Sequence, residues 1–237
     1  MFRTFLAAAA IVALTATAAP AATLIEPQLH LPVDKSAQPR VALTFDACSG
    51  DIDHRILDVL LQHNIPATIF VTERWLLRNA PTVALLQSRP DLFDIEDHGR
   101  NHIPAVTGTE APYGIKPAGT LDAVAAEVTG GAAAVTRAFG NTPTWFRGAT
   151  ALYTEDALQK IAALGFRVAG FSLNADFGAS VGADVAAQRL GAAKDGDVVI
   201  AHINQPKRHA GAGIARGLLA LKAKGFTFMR LSEIAPD

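Results

Sequence analysis

From residue 41 onward, short runs of β-branched and aromatic residues alternate with longer stretches rich in alanine and leucine. The short apolar runs are typical of strands in a buried parallel sheet, and the longer stretches are typical of helices. The predicted strands are 41–46, 66–71, 93–97, 144–148, 167–173, 197–202 and 226–231. The predicted helices are 53–63, 73–78, 81–88, 121–139, 154–164, 183–193 and 211–224. This alternation predicts an α/β protein with helices covering a parallel sheet.

Seven such units predict a closed or nearly closed barrel, and a doubly wound open sheet is the alternative. Helix-end signals support the boundaries, because Asp53 can cap the helix after it and Gly165 and Gly225 follow predicted helices. Residues 103–120 contain prolines and glycines, fit neither pattern and are predicted to form a long loop. No linker divides the chain, so we expect a single domain over residues 40–237.

The first 21 residues have the features of a secretory signal peptide. Arg3 gives a basic start, residues 5–14 are apolar and rich in alanine, and Ala19-Pro20-Ala21 has the small-residue pattern of a cleavage site. The apolar run is too short for a membrane-spanning helix of about 20 residues. We therefore expect residues 1–21 to be removed and the protein to be exported, to the periplasm or out of the cell. Residues 22–39 are expected to form an N-terminal lead-in segment.

The charges of the chain are balanced, with 21 lysines and arginines against 22 aspartates and glutamates. The basic residues do not cluster, so the sequence does not predict a nucleic-acid partner. Beyond the signal peptide, no segment is apolar enough to predict a membrane span. The single cysteine, Cys48, has no partner for an internal disulfide, and a buried cysteine is commonly a small apolar filler. The sequence gives no indication of the oligomeric state.

Polar residues follow the predicted strands at the ends where parallel α/β folds bind their ligands. They are Asp46, His98, His102, Arg147, Asp176 and His202. The spacing of His98 and His102 places two imidazoles on one side of a helical turn, where both can reach one metal ion. Zn²⁺ suits such ligands, and Co²⁺ or Ni²⁺ could substitute for it. The sequence therefore predicts a metal site, with a hydrogen-bonded surface pair of histidines as the alternative.

Five segments, in one order along the chain, resemble the motifs of the polysaccharide deacetylases of the NodB-homology type (carbohydrate esterase family 4). They are T-F-D at 44–46, H-G-R-N-H at 98–102, F-R-G-A at 146–149, S-L-N-A-D-F at 172–177 and V-V-I-A-H at 198–202. The resemblance covers about residues 40 to 231. It implies a deformed (β/α)₇ barrel, with a polysaccharide deacetylase-like catalytic domain over residues 40–237 that removes acetyl groups from sugars with the help of a metal ion.

The resemblance also implies how the water nucleophile would be generated. His98 and His102 would hold the metal, and Asp46 would be the general base that takes a proton from water. Arg147 would pair with Asp46 and keep it ionised. A backbone N–H near Arg147 and Gly148 could help to hold the oxyanion.

His202 would be the general acid that protonates the departing amine, according to the same resemblance. Asp176 would hydrogen-bond to His202 and raise its pKa. Structural roles are the alternatives for three of these residues. His202 could be a core histidine whose hydrogen bonds are all made inside the protein. Asp176 could cap a loop, and Arg147 could belong to a structural ion pair.

The third metal ligand departs from the family pattern. The family's metal-binding aspartate directly follows the base, and here Ala47 stands in that place. We expect an aspartate of the next loop to replace it, and Asp53 in preference to Asp51, although Asp53 is also suited to cap a helix. Asp46 itself, or a Cys48 thiolate that zinc would accept, are the alternatives.

Two further departures concern the groove. The R-P-P-Y/F motif of the family becomes R-G-A-T at residues 147–150, which predicts a more open groove wall. Asn174 stands where the fourth motif has its first acid. Because these changes surround one site, they indicate a divergent subgroup with an altered substrate.

The expected activity is secreted, metal-dependent removal of acetyl groups from N-acetylated glycans of the peptidoglycan or chito-oligosaccharide type. An O-acetyl esterase or another amidohydrolase on the same fold is one alternative. A non-catalytic glycan-binding module is another. A cysteine hydrolase is the last, but Cys48 has no base adjacent in the sequence.

Overall fold

The computed structural model describes residues 23–32 and 38–234, so the predicted signal peptide lies outside the described residues. The strands are β1 (Arg40–Ala47), β2 (Ala67–Val71), β3 (Phe93–Asp97), β4 (Trp145–Phe146), β5 (Arg167–Val168), β6 (Leu173–Asn174), β7 (Asp197–His202) and β8 (Thr227–Met229). The α-helices are α1 (His54–Gln62), α2 (Glu73–Arg78), α3 (Ala80–Gln87), α4 (Leu121–Phe139), α5 (Glu155–Ala163), α6 (Ala183–Gly191) and α7 (Ala210–Ala223). The predicted alternation of strands and helices is therefore present.

The strands form one parallel sheet in the order β5-β4-β3-β2-β1-β7-β6, and β8 pairs with the start of β1. β1 lies between β2 and β7, and its residues 41–47 are all buried. The sheet curls, and β5 and β6 are the two ends of its pairing order. This architecture confirms the predicted deformed (β/α)₇ barrel and a single α/β domain. It also brings the carboxyl ends of the strands to one edge.

One predicted strand, 167–173, is interrupted in the structure and gives the two short strands β5 and β6. The lead-in segment accounts for the interruption. The N–H of Phe171 donates to the carbonyl oxygen of Pro27 at 3.3 Å, and a Cβ at Gly170 would overlap that same carbonyl group. The lead-in chain therefore takes up the N–H of Phe171, which is then not available for pairing within the sheet.

The lead-in segment is attached to the barrel at two more points. Ile25 and Tyr153 exchange backbone hydrogen bonds of 2.8 and 3.0 Å, and the N–H of Leu31 donates to Gly196 at 2.8 Å. Leu31 is buried in a small apolar cluster that includes Trp145. The described part of the lead-in is thus an integral layer of the domain.

The long helix α4 packs on the end of β3 and on the chain that follows it. Thr120 caps its start, and Gly140 ends it in the left-handed conformation. Two adjacent glycines, Gly130 and Gly131, lie within this helix, where glycine is unfavourable. A Cβ at Gly131 would overlap the carboxylate of Asp97. Close approach of the two chain segments therefore requires glycine at position 131.

Gly131→Ala should destabilise the protein by about 1–3 kcal/mol, because backbone and a buried carboxylate leave no room for a methyl group. The neighbouring change Gly130→Ala is the matched control. The three atoms nearest to a Cβ at Gly130 all belong to the side chain of Arg100, at 2.8–3.4 Å, and this side chain can shift where backbone cannot. The gain in helix propensity should therefore leave stability unchanged or raised by up to about 1 kcal/mol. Chemical denaturation of both variants measures the difference, and equal effects would contradict the packing argument.

Within the described residues, none of the helices has both the length and the apolar character needed to cross a bilayer.

Candidate active site

A groove of about 590 Å³ opens at the carboxyl ends of β1, β6 and β7. Its lining includes Asp46, Cys48, His102, Asn174 and His202. Four of these five residues come from segments that the sequence identifies as motifs, and the fifth, Cys48, lies two residues after the first motif. Parallel strands deliver the residues at their ends to one place, which is why distant segments meet here.

Asp46 is buried at the end of β1, with 4% of its surface exposed. Arg147 Nη1 donates to Asp46 Oδ1 at 3.0 Å, and the other nitrogens of this buried guanidinium donate to the carbonyl oxygens of Ala169 and Gly170 at 3.2 and 3.1 Å. Burial alone would raise the pKa of Asp46, but the charges of His98 and Arg147 lower it below its usual value. Asp46 is therefore held as a carboxylate.

His98 follows β3 and is buried, with its ring held in a fixed orientation. Its Nδ1 lies 2.5 Å from the carbonyl oxygen of Arg147. Because a carbonyl oxygen can only accept, Nδ1 carries a proton, so Nε2 is the nitrogen that has the lone pair once the ring is neutral. Nε2 lies 3.6 Å from Cys48 Sγ and 3.8 Å from Asp46 Oδ2. This backbone contact gives His98 the tautomer that metal-ligating histidines need.

Cys48, His98 and His102 form a cluster in which the three potential ligand atoms all lie within 4.8 Å of one another. The rings of the two histidines are 5.0 Å apart between centroids and inclined by 61°. In a tetrahedral zinc site with bonds of about 2.0–2.3 Å, ligand atoms are separated by roughly 3.3–3.8 Å. Two imidazoles and one thiolate, with room for a fourth ligand from the groove, therefore fit the donor set of a catalytic zinc ion.

The ionisation of Cys48 also favours metal binding. Burial raises the pKa of its thiol, but hydrogen bonds with His102, His202 and His98 outweigh burial and lower it well below its usual value. The pKa of His98 is raised to about 9, since burial is outweighed by the charge of Asp46 and by Cys48. Thiolate is the form of cysteine that binds metals. The surrounding histidines therefore prepare Cys48 as a ligand.

His202 lies at the end of β7 and is paired with a buried acid. Its Nδ1 is 3.0 Å from Asp176 Oδ1, and its backbone N–H donates to Asp176 Oδ2 at 2.7 Å. Burial lowers the pKa of His202, but the charge of Asp176 and their hydrogen bond raise it well above its usual value. A histidine held in this way is protonated at neutral pH and can give its proton to a leaving group.

A sequence profile described as polysaccharide deacetylase matches residues 34–169 of the chain. The chain belongs to the polysaccharide deacetylase family. A comparison with curated protein sequences finds no significant match.

Solved structures of carbohydrate esterase family 4 share the fold. A peptidoglycan deacetylase from Bacillus subtilis has a TM-score of 0.67 at 18% identity, over 85% of this chain and 92% of that one. A family 4 acetyl xylan esterase from Clostridium thermocellum, in complex with a cobalt ion, has a TM-score of 0.65 at 23% identity, over 82% and 89%. A family 4 pseudoenzyme from Bacillus anthracis has a TM-score of 0.64 at 17% identity over 83% of this chain, which spans 65% of that protein's length.

The third metal ligand is where the structure corrects the sequence prediction. Asp53 caps α1, and its two carboxylate oxygens accept from the backbone N–H, Nε and Nη2 of Arg55 at 3.1, 2.8 and 2.5 Å. Asp51 is exposed and pairs with Arg78. Neither acid belongs to the cluster of the two histidines, whereas Cys48 does. The structure therefore does not place Asp53 with the two histidines, and the candidate for the third ligand is Cys48.

Strand alternation explains why Cys48 faces the site. Successive side chains of a strand point to opposite faces, so residues 46 and 48 share a face and residue 47 takes the other. Ala47 accordingly packs in the main apolar core, while Asp46 and Cys48 line the groove. This signal was present in the sequence, because Cys48 lies two residues after the predicted base.

The loop that carries Cys48 is organised by Asn204, which sequence reasoning missed. With its amide oriented to match its neighbours, the Asn204 oxygen accepts from the N–H groups of Cys48, Ser49 and Gly50 at 3.2–3.3 Å. Its nitrogen donates to the backbone oxygen of Asp46 at 3.1 Å. Asn204 lies two residues after the last motif, but only the tertiary pairing of β1 with β7 shows what it contacts.

The predicted oxyanion donors are already engaged. The N–H of Arg147 donates to the carbonyl oxygen of Asp97 at 3.0 Å, and that of Gly148 donates to Tyr153 Oη at 2.7 Å. These two N–H groups are therefore not free to hold an oxyanion. Nearby Thr150 lines the groove with φ of 72°, and its buried hydroxyl has no hydrogen-bond partner in the described part of the chain. A β-branched residue in this conformation is strained, as is common at functional sites.

Proposed function

We propose that this protein is an exported, metal-dependent deacetylase that removes acetyl groups from N-acetylated glycans of the peptidoglycan or chito-oligosaccharide type. One observation carries the proposal. A cluster of two histidines and a cysteine lies beside a buried carboxylate, Asp46, and a groove-lining histidine, His202. Membership of the polysaccharide deacetylase family supports the substrate class. Export rests on the pattern of residues 1–21.

His98, His102 and Cys48 would hold the ion. Zn²⁺ is the best match, because it accepts nitrogen and thiolate donors together, and Co²⁺ or Ni²⁺ could substitute. When bound, the ion would make water a nucleophile near neutral pH and would polarise the acetyl carbonyl group.

The chain's own residues would move the protons. Asp46 would accept a proton from the attacking water, and its ion pair with Arg147 keeps it ionised for this task. His202 would donate a proton to the nitrogen of the departing sugar amine, and Asp176 keeps His202 charged until that step. An amine leaves readily only when it is protonated. Because Asp176 keeps His202 protonated, the site favours hydrolysis of amides over hydrolysis of esters.

The test is acetate release from N-acetylated chito-oligosaccharide and peptidoglycan, with O-acetylated xylan in parallel, together with elemental analysis of the purified protein. We expect one metal ion per chain, and acetate release from the N-acetylated glycans that a chelator abolishes and added Zn²⁺ restores. His98→Ala should lose both the metal and the activity.

Two outcomes would contradict this proposal in different ways. Release from the O-acetylated glycan alone would identify an esterase. Glycan binding with no acetate release, unaffected by chelator, would identify a binding module, and a pseudoenzyme is among the proteins that share this fold.

A further inference from the structure

The loop that carries the two metal-binding histidines is not a helical turn, contrary to what their spacing predicts. Residues 98–102 contain no helix, and Gly99 and His102 have φ of 86° and 61°. His102 is thus a non-glycine residue in the left-handed region, which is unfavourable unless the surroundings impose it. Some part of the structure must therefore hold His102 in this conformation.

Glu127 of α4 makes the contacts that do so. Its side chain is buried, with 4% of the residue exposed, and its Oε1 accepts from the N–H of Asn101 at 2.7 Å and from the N–H of Ile103 at 3.1 Å. These two N–H groups lie immediately before and after His102 in the chain. The backbone oxygen of Glu127 also accepts from the N–H of Arg100 at 3.1 Å. One residue of α4 thus holds three backbone N–H groups around His102, those of Arg100, Asn101 and Ile103.

The loop is shaped to receive this carboxylate. A Cβ at Gly99 would lie 2.6 Å from Glu127 Oε1 and 3.1 Å from its carboxyl carbon, so glycine at 99 leaves the space that the Glu127 side chain fills. Hydrogen bonds from backbone N–H to a carboxylate are stronger than those between neutral groups. Burying the Glu127 carboxylate is tolerated because it receives two of them.

We propose that Glu127 is a positioning residue, which fixes His102 in its left-handed conformation so that its ring shares one metal ion with His98. The inference rests on the proposed metal site, and assigns to α4 a part in metal binding. Without the carboxylate, the N–H groups on both sides of His102 lose their acceptor. The loop then relaxes toward ordinary backbone angles and turns the imidazole away from the ion.

The test compares zinc affinities by competition with a chromogenic chelator. Glu127→Ala should raise the dissociation constant about 10- to 100-fold, the usual cost of losing a group that orients a metal ligand. Glu127→Asp should weaken zinc binding as well, because the shorter side chain cannot reach both N–H groups. This variant takes the place of Glu127→Ala in the comparison if the alanine variant fails to fold. Glu127→Gln should remain within about threefold of wild type, because its amide oxygen can accept the same two bonds.

Glu96 provides a matched control. It is a second buried glutamate, 6% exposed, and its Oε2 accepts from the N–H groups of Thr144 and Trp145 at 2.9 and 2.8 Å. Glu96→Ala removes a second buried carboxyl group, whose hydrogen bonds go to Thr144 and Trp145 and not to the 98–103 loop. It should lower stability by a similar amount and leave zinc affinity within about threefold of wild type. Equal losses of zinc affinity in Glu96→Ala and Glu127→Ala, or no loss in Glu127→Ala, would overturn the inference.

A second measurement separates this inference from the proposed function. In the metal-free protein, amide hydrogen exchange at Asn101 and Ile103 should be slow in wild type and at least about tenfold faster in Glu127→Ala. Unchanged exchange would overturn the positioning role, whatever the metal affinity. Failure of the wild type to bind Zn²⁺ would instead overturn the metal site of the proposed function, while the exchange rates would still show whether Glu127 holds the loop.

Discussion

Replacing Asp46 by asparagine should lower kcat about 10²- to 10⁴-fold while the protein retains one metal ion per chain. Asparagine has the shape of aspartate and keeps an oxygen for Arg147, but it cannot accept a proton from water at neutral pH. The metal should remain because the cluster of Cys48, His98 and His102 does not include Asp46. Acetate-release kinetics and elemental analysis of the same preparation measure the two quantities.

Asp51→Asn is the control for this experiment. Asp51 belongs to the loop after β1 but is exposed and pairs with Arg78 at 2.5 Å, so its variant should have wild-type kcat. Loss of the metal in Asp46→Asn would show that Asp46 is itself a ligand. Asp46 would then be both base and ligand, which is one of the alternatives that the sequence left open.

Local patterns were sufficient to predict the scaffold. The apolar run at 41–46 predicts β1, and the alternation of such runs with helical stretches predicts the barrel. These predictions succeed because strand and helix periodicities depend on neighbouring residues. The interruption at 169–172 could not be predicted in this way, because its cause is the lead-in chain near Pro27, far away in the sequence.

The site shows the same division between local and distant causes. Asp46 and His202 were predicted at strand ends, and the structure brings them into one groove. The conformation of the 98–102 loop was not predicted, because i, i+4 spacing describes a helix and the loop is instead shaped by Glu127 of α4. Buried acceptors such as Glu127 and Asn204 carry no motif of their own. Their function depends entirely on which backbone N–H groups the fold brings to them.

Cys48→Ser should reduce zinc affinity by more than the about 10- to 100-fold expected for a lost outer-shell partner, because a direct ligand is removed. The hydroxyl of serine is not ionised at neutral pH and is a poor ligand for zinc. Cys48→Asp, which offers a carboxylate from the same position, should restore part of the affinity. In the wild-type protein loaded with Co²⁺, a sulfur-to-cobalt charge-transfer band in the near ultraviolet should appear, and it should be absent from both variants.

Asp53→Asn separates the two candidates for the third ligand. Asparagine still caps a helix well, so α1 should remain intact, but the negative charge at position 53 is lost. If Cys48 is the ligand, as the 3.6 Å separation of its sulfur from His98 Nε2 indicates, Asp53→Asn should bind zinc like wild type. Zinc affinity that falls in Asp53→Asn and survives in Cys48→Ser would reverse the assignment. It would require the carboxylate of Asp53 to leave Arg55, with which it now makes three hydrogen bonds.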